Sequence, residues 1–296
     1  MSGTAPLRLA TRRSLQATTQ AQTVADAITA VTDRPTELVF VDTFGDRTQA
    51  DDVPLHAIGG QGVFVKEVQR AVLDGRADVA VHSAKDVPSE IADGLVIAAF
   101  TARRSPNDVL VGRPLADLAP GATVATGSVR RRAQLAAART DLHFAELRGN
   151  IPSRLEKVPD GGSIVMALAA LEILELTDRI AEVLPVVDFV PAVGQGCVAV
   201  ECRVDDLDTI SEVSAVDHPD SRRAVEIERA FLGELGSGCS LPVGAHVVDS
   251  VLHAFLADSD RGVHETRVVE LPPSDHPAGI AVARRTAVDL RSAVGG

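Results

Sequence analysis

The chain has 296 residues with a formal net charge of −12, and 45% of its residues are hydrophobic while 24% are charged. This composition excludes wholesale disorder, and the length predicts two or three domains. The acidic charge and the absence of tryptophan and tyrosine argue against binding of nucleic acid. No apolar run has membrane-spanning length and residues 1–13 lack the apolar core of a secretion signal, so we expect a cytoplasmic protein with no membrane partner.

The first third of the chain alternates between strand and helix patterns. The predicted order is strand 7–11, a helix that opens at Ser14 and runs to about Thr32, strand 36–43, an irregular segment 44–62 and helix 63–73. Irregular segments of this length are usually lids, binding loops or disordered chain. We therefore predict a mobile flap at 44–62, with plain disorder as the alternative.

The stretch 77–88 joins a strand to a group of polar side chains. Its apolar, β-branched run predicts a short buried strand, which ends at Ser83, Lys85 and Asp86. In open α/β sheets ligands bind at the carboxyl ends of the strands, so Lys85 and Asp86 are candidate site residues. The alternative is a solvated turn with a local ion pair.

Arginines are concentrated at a second predicted strand end. Strand 123–126 leads through a small-residue turn at Ser128 into a helix whose first turn carries Arg130, Arg131 and Arg132. Free backbone N–H groups and the helix dipole make such a turn suitable for an anion. Because successive helical residues diverge by about 100°, we expect two of these arginines to point inward and one outward.

A third strand end repeats the cationic pattern. Strand 142–147 ends at Arg148, and the next predicted helix carries Arg154 in its first turn. A cation in that position is unfavourable for the helix dipole unless an anion is bound nearby. In an acidic chain, arginines bunched in this way predict a local pocket for a small anion.

The remaining patterns predict two crossings between lobes, at 102–107 and 191–196, and a separate C-terminal domain. The further predicted elements are strands 95–101, 108–112, 163–168, 186–190 and 197–203, helices 171–183, 205–216 and 220–235, strands 245–249, 251–258 and 263–271, and helix 277–294. The expected fold class is α/β, with two α/β domains joined by a double hinge and a small α+β domain with an antiparallel sheet. The expected domains are residues 1–100 with 201–217, residues 101–200, and residues 218–296.

The three cysteines, Cys197, Cys202 and Cys239, are too few and too irregularly spaced for a disulfide framework or a structural zinc site. Cys197 and Cys202 belong to an apolar strand pattern, so we expect both to be buried as small hydrophobic side chains. Cys239 lies among glycines, serines and a proline, which predicts an accessible thiol used for chemistry or covalent attachment. A thiol protease would need a distant histidine base, His56 or His82.

Short motifs spread over almost the whole length resemble one enzyme family. They are RLATR (8–12) with Ser14, GVFVKE (62–67), ADVAVHSAKDVP (77–88), SVRR (128–131), LRGN (147–150), RL (154–155), PAVGQG (191–196), ECR (201–203), ERA (228–230) and GC (238–239). In this order they are similar to the motifs of porphobilinogen deaminases, also called hydroxymethylbilane synthases.

The resemblance implies a transferase of haem (tetrapyrrole) biosynthesis. It would join porphobilinogen units head to tail with loss of ammonia, giving hydroxymethylbilane, on a dipyrromethane primer held by a cysteine thioether. Cys239 matches the position of that anchor. The resemblance also implies that the first two domains form a periplasmic-binding-protein-like pair around a cleft and that the third carries the primer into it.

Roles for individual residues follow from family position. Asp86 would be the catalytic carboxylate. The implied cofactor-binding residues are Cys239, Ser83, Lys85, Ser128, Arg130 and Arg131, and the implied substrate-binding residues are Arg12, Ser14, Arg148 and Arg154. Guanidinium groups suit this substrate because each pyrrole carries acetate and propionate carboxylates. The sequence departs from the commonest family pattern at Phe44, Ala57, Gln61, Glu172 and Ile173, where basic residues are frequent.

Two other functions fit the same two-lobed pattern, since a fold alone does not specify an activity. One is a non-enzymatic solute-binding or effector-sensing module, and the other is a degenerate homologue without catalysis. We expect a monomer, because no extended apolar surface pattern calls for a partner, and we expect no bound metal.

Overall fold

Three β-sheets organise the part of the chain that the computed structural model describes, which comprises residues 5–43, 62, 64–236 and 241–295. The predicted flap, apart from Gly62, and the segment 237–240 with Cys239 lie outside the described residues. Within the described ranges, no helix is both long enough and apolar enough to cross a bilayer.

The strands are β1 (Leu7–Arg12), β2 (Thr36–Val41), β3 (Val79–Ser83), β4 (Leu95–Phe100), β5 (Asp108–Gly112), β6 (Thr123–Ala125), β7 (His143–Ala145), β8 (Ser163–Ala167), β9 (Glu182–Val183), β10 (Val198–Arg203), β11 (Val243–Val248), β12 (Val251–Asp258) and β13 (Val263–Glu270). The helices are α1 (Leu15–Thr32), α2 (Lys66–Leu73), α3 (Val129–Ala138), α4 (Ile151–Leu155), α5 (Leu168–Glu172), α6 (Leu207–Ser214), α7 (Pro219–Leu235) and α8 (His276–Gly295). Short 3₁₀ turns follow β3, at Ala84–Asp86, and α5, at Thr177–Arg179.

The first two sheets share one topology. The first has the order β2-β1-β3-β10-β4 and the second the order β7-β6-β8-β5-β9. In each, the fourth strand runs antiparallel to both of its neighbours: β10 against β3 and β4, and β5 against β8 and β9. Each of these antiparallel strands directly follows a crossing from the other lobe. The predicted α/β fold with a double hinge is therefore confirmed, while the exact domain limits stay a prediction.

Helix α1 shows how the sequence produces a core-facing helix. The Ser14 side chain accepts a hydrogen bond from the Ala17 N–H and so caps the first turn. The buried residues Ala21, Val24, Ala25 and Ile28 follow the spacing of one helical face. They pack against Leu7 and Leu9 of β1 and Val79 and Val81 of β3, and the helix itself was predicted from the sequence.

The third sheet is antiparallel, with the order β11-β12-β13, and helices α7 and α8 cover one face. Its core includes Phe231, Leu252, Ala283 and Leu290. This agrees with the α+β domain expected from the alternating pattern at the end of the chain.

Glu228 on α7 joins the third domain to both crossings. Its fully buried carboxylate accepts hydrogen bonds from Arg103 Nη1 at 2.6 Å and from the backbone N–H groups of Gly194 and Val247, each at 2.8 Å. Burial alone would raise the pKa of Glu228, but Arg103 and His246 lower it to about 2. One ionised side chain therefore holds three parts of the fold together.

Two predicted elements are wrong. The predicted helix 171–183 is instead the end of α5, the turn Thr177–Arg179 and strand β9, because Glu175 adopts a left-handed backbone with φ of 56° and ends the helical run. The predicted strand 186–190 is a turn in which the Phe189 N–H donates to the Pro185 carbonyl. Side chains replace sheet pairing there, since Gln134 and Arg130 bind the backbone of Val190.

Candidate functional site

A cavity of about 450 Å³ lies where the strand ends of the first two domains face the third domain. Of the predicted site residues, its walls include Arg12, Ser14, Lys85, Asp86, Ser128, Arg130, Arg131 and Arg154. The third domain contributes Leu232, Leu241 and Val243. Cys239 itself lies outside the described residues, but Leu241 stands two positions after it. The structure thus brings the three polar strand ends predicted from the sequence into one site.

The turn after β3 presents Asp86 to this cavity. The Ala84 N–H donates to the Cys197 carbonyl at 2.9 Å, and the Val87 N–H closes the 3₁₀ turn on the Ala84 carbonyl. Gly194 packs beneath the turn with a φ of +70°, where an added Cβ would lie 3.1 Å from the Ala84 Cβ. The turn is thereby fixed from below. Among the described residues, the Asp86 carboxylate has no hydrogen-bond partner, so it is available to a ligand.

Two of the three arginines on α3 point inward, as predicted. Arg130 Nη2 and Arg131 Nη2 each donate to the Asp108 carboxylate at 2.6 Å, and both arginines are buried. Arg132 is outward, with its Nη2 3.6 Å from Glu146. Burial alone would raise the pKa of Asp108, but the two guanidinium groups hold it well below its usual range.

Asp108, which binds both of these arginines, is not among the site residues predicted from the sequence. It stands at the first position of β5 and is fully buried. The available signal was a carboxylate at the start of an apolar strand, since such a group needs a cationic partner when buried.

Lys85 lies deep in the protein while still facing the cavity. Its Nζ donates to Gln195 Oε1 at 3.2 Å. Burial and the nearby Arg131 lower the pKa of Lys85 to about 8, although Asp86 and Asp108 act in the opposite direction. Gln195 was not singled out as a site residue, although it lies in the predicted second crossing.

Arg154 supplies a guanidinium group without a carboxylate partner among the described residues. Asn150 caps α4 by accepting from the Ser153 N–H, and Arg154 Nε donates to the Gly149 carbonyl at 2.7 Å. Desolvation, followed by repulsion from Arg131 and Arg148, lowers the pKa of Arg154 to about 10. Repulsion between desolvated cations is relieved when an anion binds.

Arg12 and Ser14 lie at the end of β1, on the opposite wall. The Arg12 guanidinium stacks on the ring of Phe64, 3.9 Å from its centroid. Phe64 also lines the cavity and was missed, because its sequence position says nothing about this contact.

Two predicted site residues do not line this cavity. Arg148 is only 6% exposed, and its Nη1 has no hydrogen-bond partner. Ser83 donates to Gln20 Oε1 at 3.0 Å and borders an adjacent cavity of about 530 Å³, which shares Lys85 with the first and is lined by Ile173.

The burial predicted for the other cysteines is confirmed. Cys197 and Cys202 are 2% and 0% exposed. Burial raises the pKa of Cys197 to about 12 and that of Cys202 to about 11, so both stay protonated at neutral pH.

The walls of the site therefore combine several permanent or near-permanent cations with Asp86, the one carboxylate among the described lining residues. Guanidinium groups on opposite walls suit a ligand with several carboxylates. The carboxylate of Asp86 suits a reaction in which positive charge develops on the ligand.

Two family models match the chain. The model described as "Porphobilinogen deaminase, dipyromethane cofactor binding domain" matches residues 7–211, and the model "Porphobilinogen deaminase, C-terminal domain" matches residues 223–278. All the motifs named above fall within these two matches, and the second match includes the three strands of the third sheet.

Curated relatives carry the same name. The porphobilinogen deaminase of Thermobifida fusca is 47% identical over 302 residues, covering 97% of this chain and 93% of its own. Porphobilinogen deaminase 1 of Streptomyces coelicolor is 40% identical and covers 96% of this chain and 94% of its own.

Solved structures with a similar arrangement include immunogenic lipoprotein A from Vibrio vulnificus, with a TM-score of 0.44 and 12% identity over 73% of this chain and 96% of that protein. A TRAP periplasmic solute binding protein from Desulfovibrio salexigens has a TM-score of 0.42 and 10% identity over 77% and 76%. Because these scores are low, the fold assignment rests on the sheet topology described above.

Proposed function

The chain belongs to the porphobilinogen deaminase family, and on that premise we propose how its cavity carries out the reaction of the family. The protein is an enzyme of tetrapyrrole biosynthesis that condenses porphobilinogen units with loss of ammonia to give hydroxymethylbilane. In the proposal, it is a transferase that extends a dipyrromethane primer anchored as a thioether on Cys239.

One observation supports the placement of the reaction in this cavity: desolvated cations lie on it or beside it, and the described residues hold too few carboxylates to neutralise them. Arg154 has no carboxylate partner among the described residues, and the buried Arg148 Nη1 has no hydrogen-bond acceptor. Buried charged donors in this condition are costly unless a ligand completes them. A dipyrromethane offers acetate and propionate groups on each ring, so the donor set fits the primer.

In this proposal, one group of wall residues binds the primer and another binds the incoming substrate. Lys85, Ser128, Arg130 and Arg131, with Ser83 beside them, hold the carboxylates of the primer on the side nearest the third domain. Arg12, Ser14 and Arg154 receive the carboxylates of incoming porphobilinogen. Arg148 is buried near enough to Arg154 to lower its pKa, and it adds positive potential there. When bound, the primer supplies the nucleophilic pyrrole carbon.

Asp86 is proposed as the group that stabilises developing charge. Loss of ammonia from porphobilinogen leaves a cationic pyrrole, and a carboxylate aimed at it lowers the energy of that state. The same oxygen atoms accept hydrogen bonds from pyrrole N–H groups and so orient the ring. The fixed turn above Gly194 holds the carboxylate in place without reorganisation.

The intact mass of the purified protein tests the anchoring proposal. Protein made in a host that produces porphobilinogen should exceed the sequence mass by one dipyrromethane, and Cys239→Ser should show the sequence mass and no turnover. The matched control is Cys202→Ala, which removes a buried thiol and should keep the primer. An unmodified wild-type chain from such a host would contradict the proposal.

Arg154→Gln tests the role of the unpaired guanidinium. We expect a rise in KM for porphobilinogen of about tenfold to a hundredfold, since a hydrogen bond to a charged group contributes about 1.5–3 kcal/mol. Arg139→Gln is the control, because Arg139 pairs with Asp141 at the surface. Equal KM values for the two variants would show that Arg154 does not bind porphobilinogen.

The family match leaves the solute-binding alternative without support, and measured turnover decides whether the chain is a degenerate homologue. We also propose a monomer in the cytoplasm. Light scattering after size-exclusion chromatography tests whether the protein is a monomer, and a dimer at micromolar concentration would contradict this proposal.

A further inference from the structure

We infer that Gln195 and Asp108 are positioning residues that set the orientation and the charge of Lys85. This inference rests on the proposed role of Lys85 in holding primer carboxylates. It adds two residues from the hinge region to the machinery of the site and assigns them a task other than contact with the substrate.

A continuous chain of hydrogen bonds connects Lys85 to Asp108 through Gln195. Lys85 Nζ donates to Gln195 Oε1 at 3.2 Å, and Gln195 Nε2 donates to Asp108 Oδ1 at 2.9 Å. The same Nε2 donates to the Pro106 carbonyl at 2.6 Å. Gln195 is 1% exposed, so its amide has no solvent alternative.

The two acceptors on Nε2 decide which way the amide faces. A reversed amide would place its oxygen against the Asp108 carboxylate and the Pro106 carbonyl, three acceptors with no proton between them. Gln195 must therefore present its oxygen to Lys85. That oxygen accepts from the ammonium group and aligns it, while leaving other ammonium protons for a ligand.

Nearby charges also act on the protonation of Lys85. The charged groups that act on Lys85 are Arg130 and Arg131 from α3, Asp108 from β5, and Asp86 from its own turn. The two guanidinium groups favour the neutral amine. Asp108 opposes them, since it binds both arginines and is held ionised by them. Without Asp108, three cations would share a low-dielectric region, and Lys85 is the one that can lose its proton.

The three residues of this hydrogen-bond chain come from different parts of the fold. Asp108 follows the first crossing and Gln195 lies in the second, whereas Lys85 lies in the turn that follows β3 of the first sheet. Arg103 Nε fixes the backbone of Gln195 by donating to its carbonyl at 2.8 Å. The hydrogen-bond chain therefore links the primer-binding lysine of one lobe to the arginine pair of the other.

The test measures the titration of Lys85 directly, in the full-length primer-free chain carrying Cys239→Ser. Competitive labelling of amines with acetic anhydride between about pH 6 and pH 10 gives the pKa of each lysine by peptide mass spectrometry. Lys85 should titrate near 8. Asp108→Asn should lower this pKa by about one unit or more, which raises the unprotonated fraction of Lys85 at pH 7 about fivefold or more. Gln195→Met, which removes the amide and keeps the length of the side chain, should also lower this pKa, because the buried ammonium group loses its hydrogen-bond acceptor.

The direction of the shift separates positioning from general damage, because a loosened structure would admit water to Lys85 and raise its pKa toward the ordinary lysine value. Lys157 serves as the internal reference, and Asp141→Asn controls for loss of one surface carboxylate; the Lys157 pKa in each variant and the Lys85 pKa in Asp141→Asn should stay unchanged. If Asp108→Asn does not fold, Gln195→Met alone decides. An unchanged or raised Lys85 pKa in either folded variant would overturn the inference. Labelling needs no turnover, so failure of the deaminase proposal would leave this result readable.

Discussion

Asp86→Asn should keep the primer and lower kcat by about a thousandfold. Asparagine has the shape of aspartate and still accepts hydrogen bonds, so loading of the chain with primer should continue. Its neutral amide cannot stabilise the cation left when ammonia departs, and no other carboxylate stands on the described walls of the cavity. The measurements are intact mass for the primer and single-turnover kinetics for the chemical step.

The matched control for this substitution is Asp93→Asn, on an exposed loop between β3 and β4. It removes the same charge from the same domain and should leave kcat unchanged. A normal rate in Asp86→Asn would show that the charge of this side chain is not used. A loss of primer in Asp86→Asn would move its role from turnover to assembly of the cofactor.

The pattern of the site could be predicted because its signals are local. Each strand end carries its own polar residues within a few positions of an apolar run, as in the sequence around Lys85 and Asp86 or that around Arg130. Parallel strands bring such ends to one edge of a sheet. The inward and outward arrangement on α3 followed from helical geometry alone and is confirmed.

The partners of those residues could not be predicted, because they come from distant parts of the chain. Asp108 lies 22 residues before Arg130, and Gln195 lies 110 residues after Lys85. Only the folded crossings bring them together. The same reason explains the wrong strand at 186–190, whose backbone groups are bound by the side chains of α3 instead of a neighbouring strand.

Family position predicted roles for individual residues, and the structure places only some of those residues on the cavity wall. Arg12, Lys85 and Arg154 lie on the cavity wall, whereas Arg148 and Ser83 stand beside it. A motif fixes which residue occupies a position but not whether its side chain reaches the ligand. Ile173, one of the departures from the family pattern, lines the adjacent cavity and leaves that wall apolar.

Glu228→Gln should destabilise the protein by about 3 kcal/mol at neutral pH. The carboxylate has two acceptor oxygens, and both bind Arg103 as well as the N–H of Gly194 or Val247. Glutamine retains one acceptor and turns a donor toward a backbone N–H, so Arg103 loses its buried counter-charge. The effect should be seen in urea-induced unfolding followed by circular dichroism.

The pH dependence of the stability loss in Glu228→Gln shows whether the charge of Glu228 causes it. The pKa of Glu228 falls to about 2 in the folded protein, below its value in the unfolded chain, so its ionic contribution is present above the unfolded pKa and is lost as the pH falls toward 2. The difference between wild type and Glu228→Gln should therefore be largest near neutral pH and narrow below about pH 4. Glu265→Gln, at an exposed pair with Arg267, should change stability by less than about 0.5 kcal/mol. A difference for Glu228→Gln that stays constant down to low pH would show that packing, and not charge, joins the third domain to the two crossings at this residue.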